Sequence, residues 1–478
     1  MSQLRGAYNR IAQLSAAELA AGVVTASAGN HAQGVALSAQ RLGLSAVVCM
    51  PLTTPAIKVN AVQRMGAEVR LVGDTFDETN AFARDLAASE GRAFIPPFDS
   101  PDVIAGQGTV GMEILRQVGA KPLHAIFVPV GGGGLIAGIA AYVKSVRPEV
   151  LVIGVEPAGA NAMAQSLAAG QRVTLSKVDG FADGVAVKTV GEECFRIAID
   201  TVDGTVLVDT DAICAAIKDV FEDTRSILEP AGALALAGAK AYLAHHGCQG
   251  LHVVAISSGA NMNFDRLRLV SELADVGLRT EAVLATTIPE RAGAFKQFAA
   301  TVAGASLDIT EFKYRYAGSG VRSAHVLYSV ALRSPAQLEE LLLRMRTAAL
   351  PTVDLSSNEL AKVHLRHLVG GAAAVSNERL LKVEFPEKPG ALVRFLDVLS
   401  PRWNITLFHY RNAGGNVAKV LVGLQVQPAE RGAFDAALSS VGYDFSDETD
   451  NEAFAMFQTA SDAQPPEGGA GGGWKWPW

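Results

Sequence analysis

The segment Val128-Pro129-Val130-Gly131-Gly132-Gly133-Gly134-Leu135-Ile136-Ala137 passes from a β-branched run through four glycines into an apolar helical pattern. A strand that ends in a glycine turn and opens a helix predicts a crossover unit. Glycines let the backbone approach an anion closely, and a helix N-terminus offers free N–H groups and a favourable dipole. Gly131, Gly132, Gly133, Gly134 and Leu135 are therefore expected to cradle a phosphate. The lysine and Ser/Thr of a nucleotide P-loop are missing, which favours a cofactor monophosphate over a nucleoside triphosphate. A tight turn without a ligand is the plainer alternative.

Outward from this segment, short β-branched runs alternate with longer helical patterns from about residue 20 to 275. Val47–Met50, Glu68–Val72, Ile126–Val130, Val150–Val155 and His252–Ser257 read as strands, and Ala32–Leu42, Phe76–Ser89 and Ala231–Leu243 as helices. Such alternation predicts mostly parallel sheets with helices on both faces, and places chemistry in the strand-to-helix loops. Ala125 to Val143 carries no charge and is about as long as a membrane span of ~20 residues. Pro129 and the four glycines would weaken a lipid-facing helix, so it reads as a strand, a loop and a helix of a soluble protein.

The chain has 478 residues, 49% of them apolar, enough for two to four domains with large cores. Its net charge of −7 is spread along the chain with no basic run, which argues against nucleic acid as a partner. Cys49, Cys194, Cys214 and Cys248 show no metal-ligand spacing and suit a reducing cytoplasm as buried thiols. His31 and His409 are lone histidines, and nothing around them builds a metal site.

After about residue 278 the chain repeats itself. Ile288-Pro-Glu-Arg-Ala-Gly-Ala-Phe295 matches Phe385-Pro-Glu-Lys-Pro-Gly-Ala-Leu392, and Ile309-Thr-Glu-Phe-Lys-Tyr-Arg315 matches Ile405-Thr-Leu-Phe-His-Tyr-Arg411. Two copies of one small α+β unit are expected. The Gly- and Pro-rich stretch 461–478 has the composition of a disordered tail.

Two further loops follow apolar runs. In Thr25-Ala-Ser27-Ala28-Gly29-Asn30-His31, Ser27 and the next amides suit a carboxylate, and Asn30 is expected to donate to a phenolic or carbonyl oxygen; helix caps would be the bland reading. Ser257-Ser258-Gly259-Ala260-Asn261 alone is an ordinary turn. Together, SAGNHAQG (27–34), GGGGL (131–135) and SSGAN (257–261) resemble the fold-type II pyridoxal-phosphate (PLP) enzymes, the tryptophan-synthase-β-like family. PPFD (96–99), IAGQGT (104–109), FADGVAVK (181–188) and EPAGALALAG (229–238) narrow the resemblance to threonine dehydratases, also called threonine ammonia-lyases. The doubled unit resembles the paired ACT-like domains of the biosynthetic, isoleucine-regulated form.

The resemblance implies an α/β catalytic domain over 1–278, then α+β ACT-like regulatory subdomains over 282–355 and 379–450. It implies PLP held at its phosphate by Gly131–Leu135, at its ring 3′ oxygen by Asn30 and at its pyridine nitrogen by Ser258. A hydroxyl at that nitrogen leaves it largely unprotonated, a weaker electron sink that favours β-elimination. Ser27, Ala28 and Gly29 would meet the substrate, L-threonine or L-serine, and threonine would yield 2-oxobutanoate and ammonia for isoleucine biosynthesis. Related serine racemases carry a serine acid/base where this chain has Ala28, which favours dehydration. Glu290, Phe295, Glu387 and Leu392 are candidate effector contacts, with isoleucine as inhibitor and valine opposing it; the plainer view makes Phe295 and Leu392 core residues. A cytoplasmic homotetramer is expected by resemblance.

One position departs from the pattern. The family's Schiff-base lysine lies in Ser-Phe-Lys-Leu-Arg-Gly-Ala, whereas this chain begins Met1-Ser2-Gln3-Leu4-Arg5-Gly6-Ala7. Gln3 stands at the lysine position, and an amide neither forms an imine nor serves as a general base. Lys58 and Lys188 match lysines of the family and are poor substitutes. The printed chain is expected to be nearly inactive. A truncated or mistaken start and a non-catalytic, effector-binding remnant are the competing explanations; survival of every later motif favours the first. The doubled module argues against a serine or catabolic threonine dehydratase and against a cysteine-synthase type, while Gln3 supports an amino-acid sensor as a rival.

Overall fold

The computed structural model describes residues 3–289, 294–303, 307–313, 323–367, 375–386, 391–399, 402–411 and 417–458. The chain divides into two compact units, the first essentially Met1–Leu278 and the second beginning at Arg279.

The first unit carries two four-stranded parallel sheets. One is built from β1 (Val23–Ala26), β2 (Ala46–Met50), β3 (Glu68–Leu71) and β4 (Ala93–Phe94) in the order β3-β2-β1-β4. The other is built from β5 (Ala125–Pro129), β6 (Leu151–Pro157), β7 (Gly204–Val208) and β8 (Val253–Ala255) in the order β7-β6-β5-β8. The early helices are α1 (Gln3–Ala12), α2 (Ala16–Ala21), α3 (Asn30–Leu42), α4 (Ala56–Gln63), α5 (Phe76–Glu90) and α6 (Pro101–Val118). They are followed by α7 (Gly134–Val146), α8 (Ala162–Ala169), α9 (Glu192–Thr201), α10 (Thr210–Thr224), α11 (Pro230–His245) and α12 (Leu267–Gly277).

Parallel strands need cover on both faces, so their residues stay apolar on successive positions. Every residue of β1, β2 and β5 is buried. In β5, Ile126 and Val128 pack with Ile136 and Ile139 of α7, while Phe127 packs on the other face with Leu234 and Ala235 of α11. The first sheet does the same: Val48 and Met50 meet Val35 and Ala39 of α3, and Val47 meets Ala83 and Leu86 of α5. The uncharged stretch 125–143 is thus strand, loop and helix. Among the described residues no helix is long and apolar enough to cross a membrane.

The second unit repeats one β-α-β-β-α-β motif. The first copy is β9 (Glu281–Pro289), α13 (Ala294–Ala303), β10 (Ile309–Lys313), β11 (Ser323–Ala331), α14 (Pro335–Thr347) and β12 (Thr352–Asp354). The second is β13 (Glu378–Pro386), α15 (Ala391–Leu399), β14 (Asn404–Arg411), β15 (Val417–Gln425), α16 (Arg431–Val441) and β16 (Asp444–Asp447), with α17 (Glu452–Gln458) after it. Sheet orders β10-β11-β9-β12 and β14-β15-β13-β16 are the same path. Even the irregularities coincide: the register shifts between Ile309 and Glu311, and between Ile405 and Leu407. The threonine skipped in each shift, Thr310 or Thr406, donates its hydroxyl to a glutamate on the first strand of its copy, Glu281 or Glu378.

Candidate active site

In both sheets the strand order reverses beside the strand that comes first in sequence, between β1 and β4 and between β5 and β8. Ligands of open parallel sheets bind at the carboxyl ends of strands at such reversals. The loops leaving these four strands hold Ser27–Gly29, Pro96–Asp99, Gly131–Gly133 and Ser257–Asn261, so four of the motifs occupy the two reversal points.

The glycine loop is walled so closely that side chains have no room. A Cβ on Gly132 would lie 2.3 Å from the Phe98 ring, and one on Gly131 would lie 2.9 Å from Val185 Cα. Gly133 has φ +96° and faces Met163 and Cys194, while Gly134 lies against Phe98. Asp99, next to Phe98, accepts from the backbone N–H groups of Glu192, Glu193 and Cys194 and so caps α9. The Gly191 N–H donates to Gly132 O at 3.0 Å. The Pro96–Asp99 turn therefore fixes the floor of the loop and a neighbouring helix together. Glu156, fully buried at the end of β6, accepts from Met163 N and Ala164 N at the start of α8. Burial pushes its carboxyl up to about 7 against those two bonds.

Asn30 is the first residue of α3, and Gly29 is the residue that precedes the helix, without a side-chain cap bond. Neither Ser27 nor Asn30 is thus a helix cap; Ser27 Oγ accepts from the Gly29 N–H at 3.2 Å. Asn30 Nδ2 donates to Glu229 Oε1 at 2.5 Å, which ties the first loop to the start of α11. Gly259 of the third loop sits against the same carboxyl: a Cβ there would be 2.0 Å from Glu229 Oε1. Ser258 Oγ donates to Ala231 O at 3.3 Å. Burial pushes the Glu229 carboxyl up, with the Asn30 bond opposing.

Lys58 Nζ donates to Asp183 Oδ2 at 2.8 Å, and Arg266 Nη1 to Asp183 Oδ1 at 3.3 Å. Burial raises the Asp183 carboxyl, but the two cations outweigh it and hold it below the usual range. Lys58 is thereby committed to an ion pair. Gln3 opens α1, and its backbone lies against Gly34, where a Cβ would meet Leu4 Cα at 3.2 Å and Gln3 C at 3.5 Å. Gly34 and Asn30 are four residues apart on one face of α3, so Gln3 starts beside the face that carries Asn30. Glu290 and Glu387, the side chains of Phe295 and Leu392, and the tail 461–478 lie outside the described residues. Three cysteines are buried, but Cys248 is partly exposed. Among the described residues no group of three or more His, Cys, Asp or Glu suits a metal ion.

The model of the pyridoxal-phosphate dependent enzyme family matches residues 3–259, and that of the C-terminal regulatory domain of threonine dehydratase matches 272–365 and 369–457. A biosynthetic threonine dehydratase of Solanum lycopersicum, named as chloroplastic, is 61% identical over 454 residues, covering 95% of this chain and 74% of the relative. The chain belongs to the threonine dehydratase family of pyridoxal-phosphate dependent enzymes. The family member from Burkholderia multivorans, a biosynthetic L-threonine dehydratase, is 52% identical over 459 residues, 95% of this chain and 90% of its own. Among solved structures, the processed form of threonine deaminase isoform 2 from Solanum lycopersicum aligns with TM-score 0.56 and 55% identity over 57% of this chain and 79% of that one. Maize serine racemase aligns with TM-score 0.53 and 34% identity over 56% and 82%.

The described residues fit the phosphate and the ring of this family's cofactor. Glycines that admit no side chain, at the N-terminus of α7, suit a phosphate, and the buried Asn30 Oδ1, which has no partner among the described residues, suits a polar ring substituent. Gln3 offers no amine. Glu229, Phe98 and Asp183 were legible only as letters of the motifs EPAGALALAG, PPFD and FADGVAVK; nothing local marks them as partners of Asn30, Gly132 and Lys58.

Proposed function

We propose that the protein is a threonine ammonia-lyase that converts L-threonine to 2-oxobutanoate and ammonia in isoleucine biosynthesis, with L-serine as a second substrate. The convergence of the first and third loops on Glu229, beside a cradle that only glycine fits, is the observation that carries this reading. Gly131–Gly134 and Leu135 would hold the cofactor phosphate, Asn30 the 3′ oxygen and Ser258 the pyridine nitrogen. Bound PLP supplies an electron sink for the charge that develops as the α-proton leaves. Ser27, through its hydroxyl, and the amides of Ala28 and Gly29 would receive the substrate carboxylate, the Gly29 N–H exchanging its bond to Ser27 Oγ for one to the ligand. Ala28 has no proton to give to the opposite face, which supports dehydration over racemisation.

Residues 282–355 and 379–450 would form the two regulatory subdomains, with isoleucine as inhibitor and valine as its opposing ligand at Glu290, Phe295, Glu387 and Leu392. A homotetramer is the proposed assembly. The cytoplasm is the proposed compartment, supported by cysteines that form no disulfide among the described residues and by bacterial relatives; fractionation decides it against the organelles named for the plant and yeast relatives.

The test is intact mass after incubation with PLP and borohydride reduction. The printed chain is expected to give no adduct and nearly no turnover of threonine. Gln3→Lys, with a family-type segment added ahead of it, is expected to give both. A stoichiometric adduct on the printed chain would refute the assignment of Gln3. Gln3 also motivates a second reading, a non-catalytic amino-acid sensor, which would bind isoleucine but stay inactive after that addition.

A further inference from the structure

The proposed reaction leaves Glu229 without a task, yet its carboxyl joins two of the three loops. It accepts from Asn30 Nδ2 at 2.5 Å and from the backbone N–H of Asn261. Gly259 packs directly on it, and the Gly259 carbonyl comes so near α11 that a Cβ on Gly232 would meet it at 2.1 Å. Turning the Asn30 amide over would set Oδ1 against a carboxylate oxygen, two acceptors in contact. An ionised Glu229 thus fixes which end of the amide it takes, and the atom left buried with no partner among the described residues is Oδ1. Oδ1 can only accept. An unsatisfied buried acceptor costs about 1–3 kcal/mol, so a molecule that completes this site gains by bringing it a hydrogen.

We propose that Glu229 is a positioning residue that, through Asn30, selects the hydroxyl form of the cofactor's 3′ oxygen over the oxyanion. This rests on the reading that PLP occupies the glycine cradle with its 3′ oxygen at Asn30. The charges around the site favour the same outcome. Lys58 and Arg266 pair with Asp183, so with Glu229 the cluster holds two cations and two carboxylates. Removing the Glu229 charge leaves one positive charge in excess, which favours an oxyanion nearby. Glu229 also lies at the N-terminus of α11, where the dipole favours its ionised form.

Pyridoxine 5′-phosphate tests the inference without calling on any Schiff-base lysine. It keeps the phosphate, ring and 3′ oxygen but carries an alcohol in place of the aldehyde, so it forms no imine with any residue. Its 3′ ionisation would be followed by ultraviolet absorbance against pH when bound to the parent chain, to Glu229→Gln and to Glu229→Asp, with binding checked by phosphorus NMR. The parent is expected to hold the 3′ hydrogen to a higher pH than Glu229→Gln by about one unit, tenfold in proton affinity. Glu229→Asp, which retains the charge, is expected to stay closer to the parent. Equal ionisation in all three, with binding intact, would overturn the role of Glu229 and leave the cofactor reading standing. Failure of the parent to bind the compound would overturn both. Should Glu229→Gln not fold, the parent alone still decides: ionisation of the bound compound below the pH of the free compound refutes the proposal.

Discussion

Gly132→Ala isolates the steric part of the proposed phosphate cradle, because Gly132 is not among the glycines with positive φ. The added methyl would lie 2.3, 2.4 and 2.5 Å from three ring atoms of Phe98. Carbon atoms in good contact sit about 3.5–4.0 Å apart, so the overlap exceeds 1 Å. Phe98 has little freedom to withdraw, since Asp99 beside it accepts from three backbone N–H groups of α9. The glycine loop must yield instead, at a cost of about 1–3 kcal/mol for overpacking. At about 2 °C per kcal/mol for a unit of this size, the Tm should fall by roughly 2–6 °C. Displacing one loop N–H from a phosphate oxygen removes a charge-assisted bond of about 1.5–3 kcal/mol, or about 10- to 100-fold in PLP affinity.

Thermal unfolding and equilibrium dialysis with pyridoxal phosphate measure the two effects. Phe98→Ala removes the ring that the methyl strikes, so the double variant should be more stable than the sum of the two single losses by about 1–3 kcal/mol. Gly132→Ala with parental Tm and parental affinity would refute the steric argument. Strict additivity in the double variant would refute the identity of the obstacle.

Gly133→Ala should lose more than Gly132→Ala and resist rescue by Phe98→Ala, because φ +96° adds about 1–2 kcal/mol of backbone cost and the methyl meets Met163 and Cys194 instead. Asp183→Asn leaves Lys58 and Arg266 without their carboxylate; urea unfolding should show a loss near the low end of about 3–5 kcal/mol, since the Asp183 side chain is 32% exposed. For Glu359, burial alone would raise the carboxyl, but Lys419 and Lys382 outweigh it and hold it at about 2. Its contribution is then complete above the ordinary value of 4.5 and is lost as pH falls toward 2. The stability gap between the parent and Glu359→Gln should therefore be constant from pH 7 to about 5 and close on further acidification; a gap that stays open at pH 2 would contradict the pairing.

The first unit was readable where burial on two faces writes a continuous apolar run. β2 begins one residue before Val47–Met50, and β3 ends one residue before Val72. The stretch His252–Ser257 shortens to Val253–Ala255 for a reason no window of sequence around it contains. Ile256 N donates to Phe127 O, and the next donor in that register is Pro129, which has no N–H. β4 has only two residues, too few for any period to register. The tight glycine turn between β5 and α7 was readable because the absence of side chains is itself the signal. Glu229 and Asp183 were not, since their partners lie 199 and 125 residues away and neither local pattern announces a pairing. Sequence marks where a loop must be small; it marks a buried ion pair only once both ends are known.

The doubled module shows where two equal repeats become unequal. The Glu281–Thr310 bond of the first copy recurs as Glu378–Thr406 in the second, so the bulged strand is built the same way twice. The asymmetry lies in the chain between them. Glu359 accepts from Lys382 and Lys419 of the second copy, whereas Arg366 binds Glu281 and Glu311 of the first. A π-helical turn, Ala361–Leu365, lies between those two residues, and its His364 Nδ1 is 2.9 Å from His409 Nδ1 of β14. π-turns inside helices are often found at functional sites. A connector bound by charge at each end to a different repeat acts as a strut and not as a tether. Glu281 belongs to both arrangements, bonded to the bulge threonine of its own copy and to Arg366 of the connector. A ligand that moved the β10 bulge would therefore alter the acceptor on which the strut rests, while the second copy's equivalent, Glu378, would transmit through Thr406 alone among the described contacts. An effector acting on the first copy is thus expected to reach the connector through Glu281 and Arg366, and one acting on the second through His409 and His364.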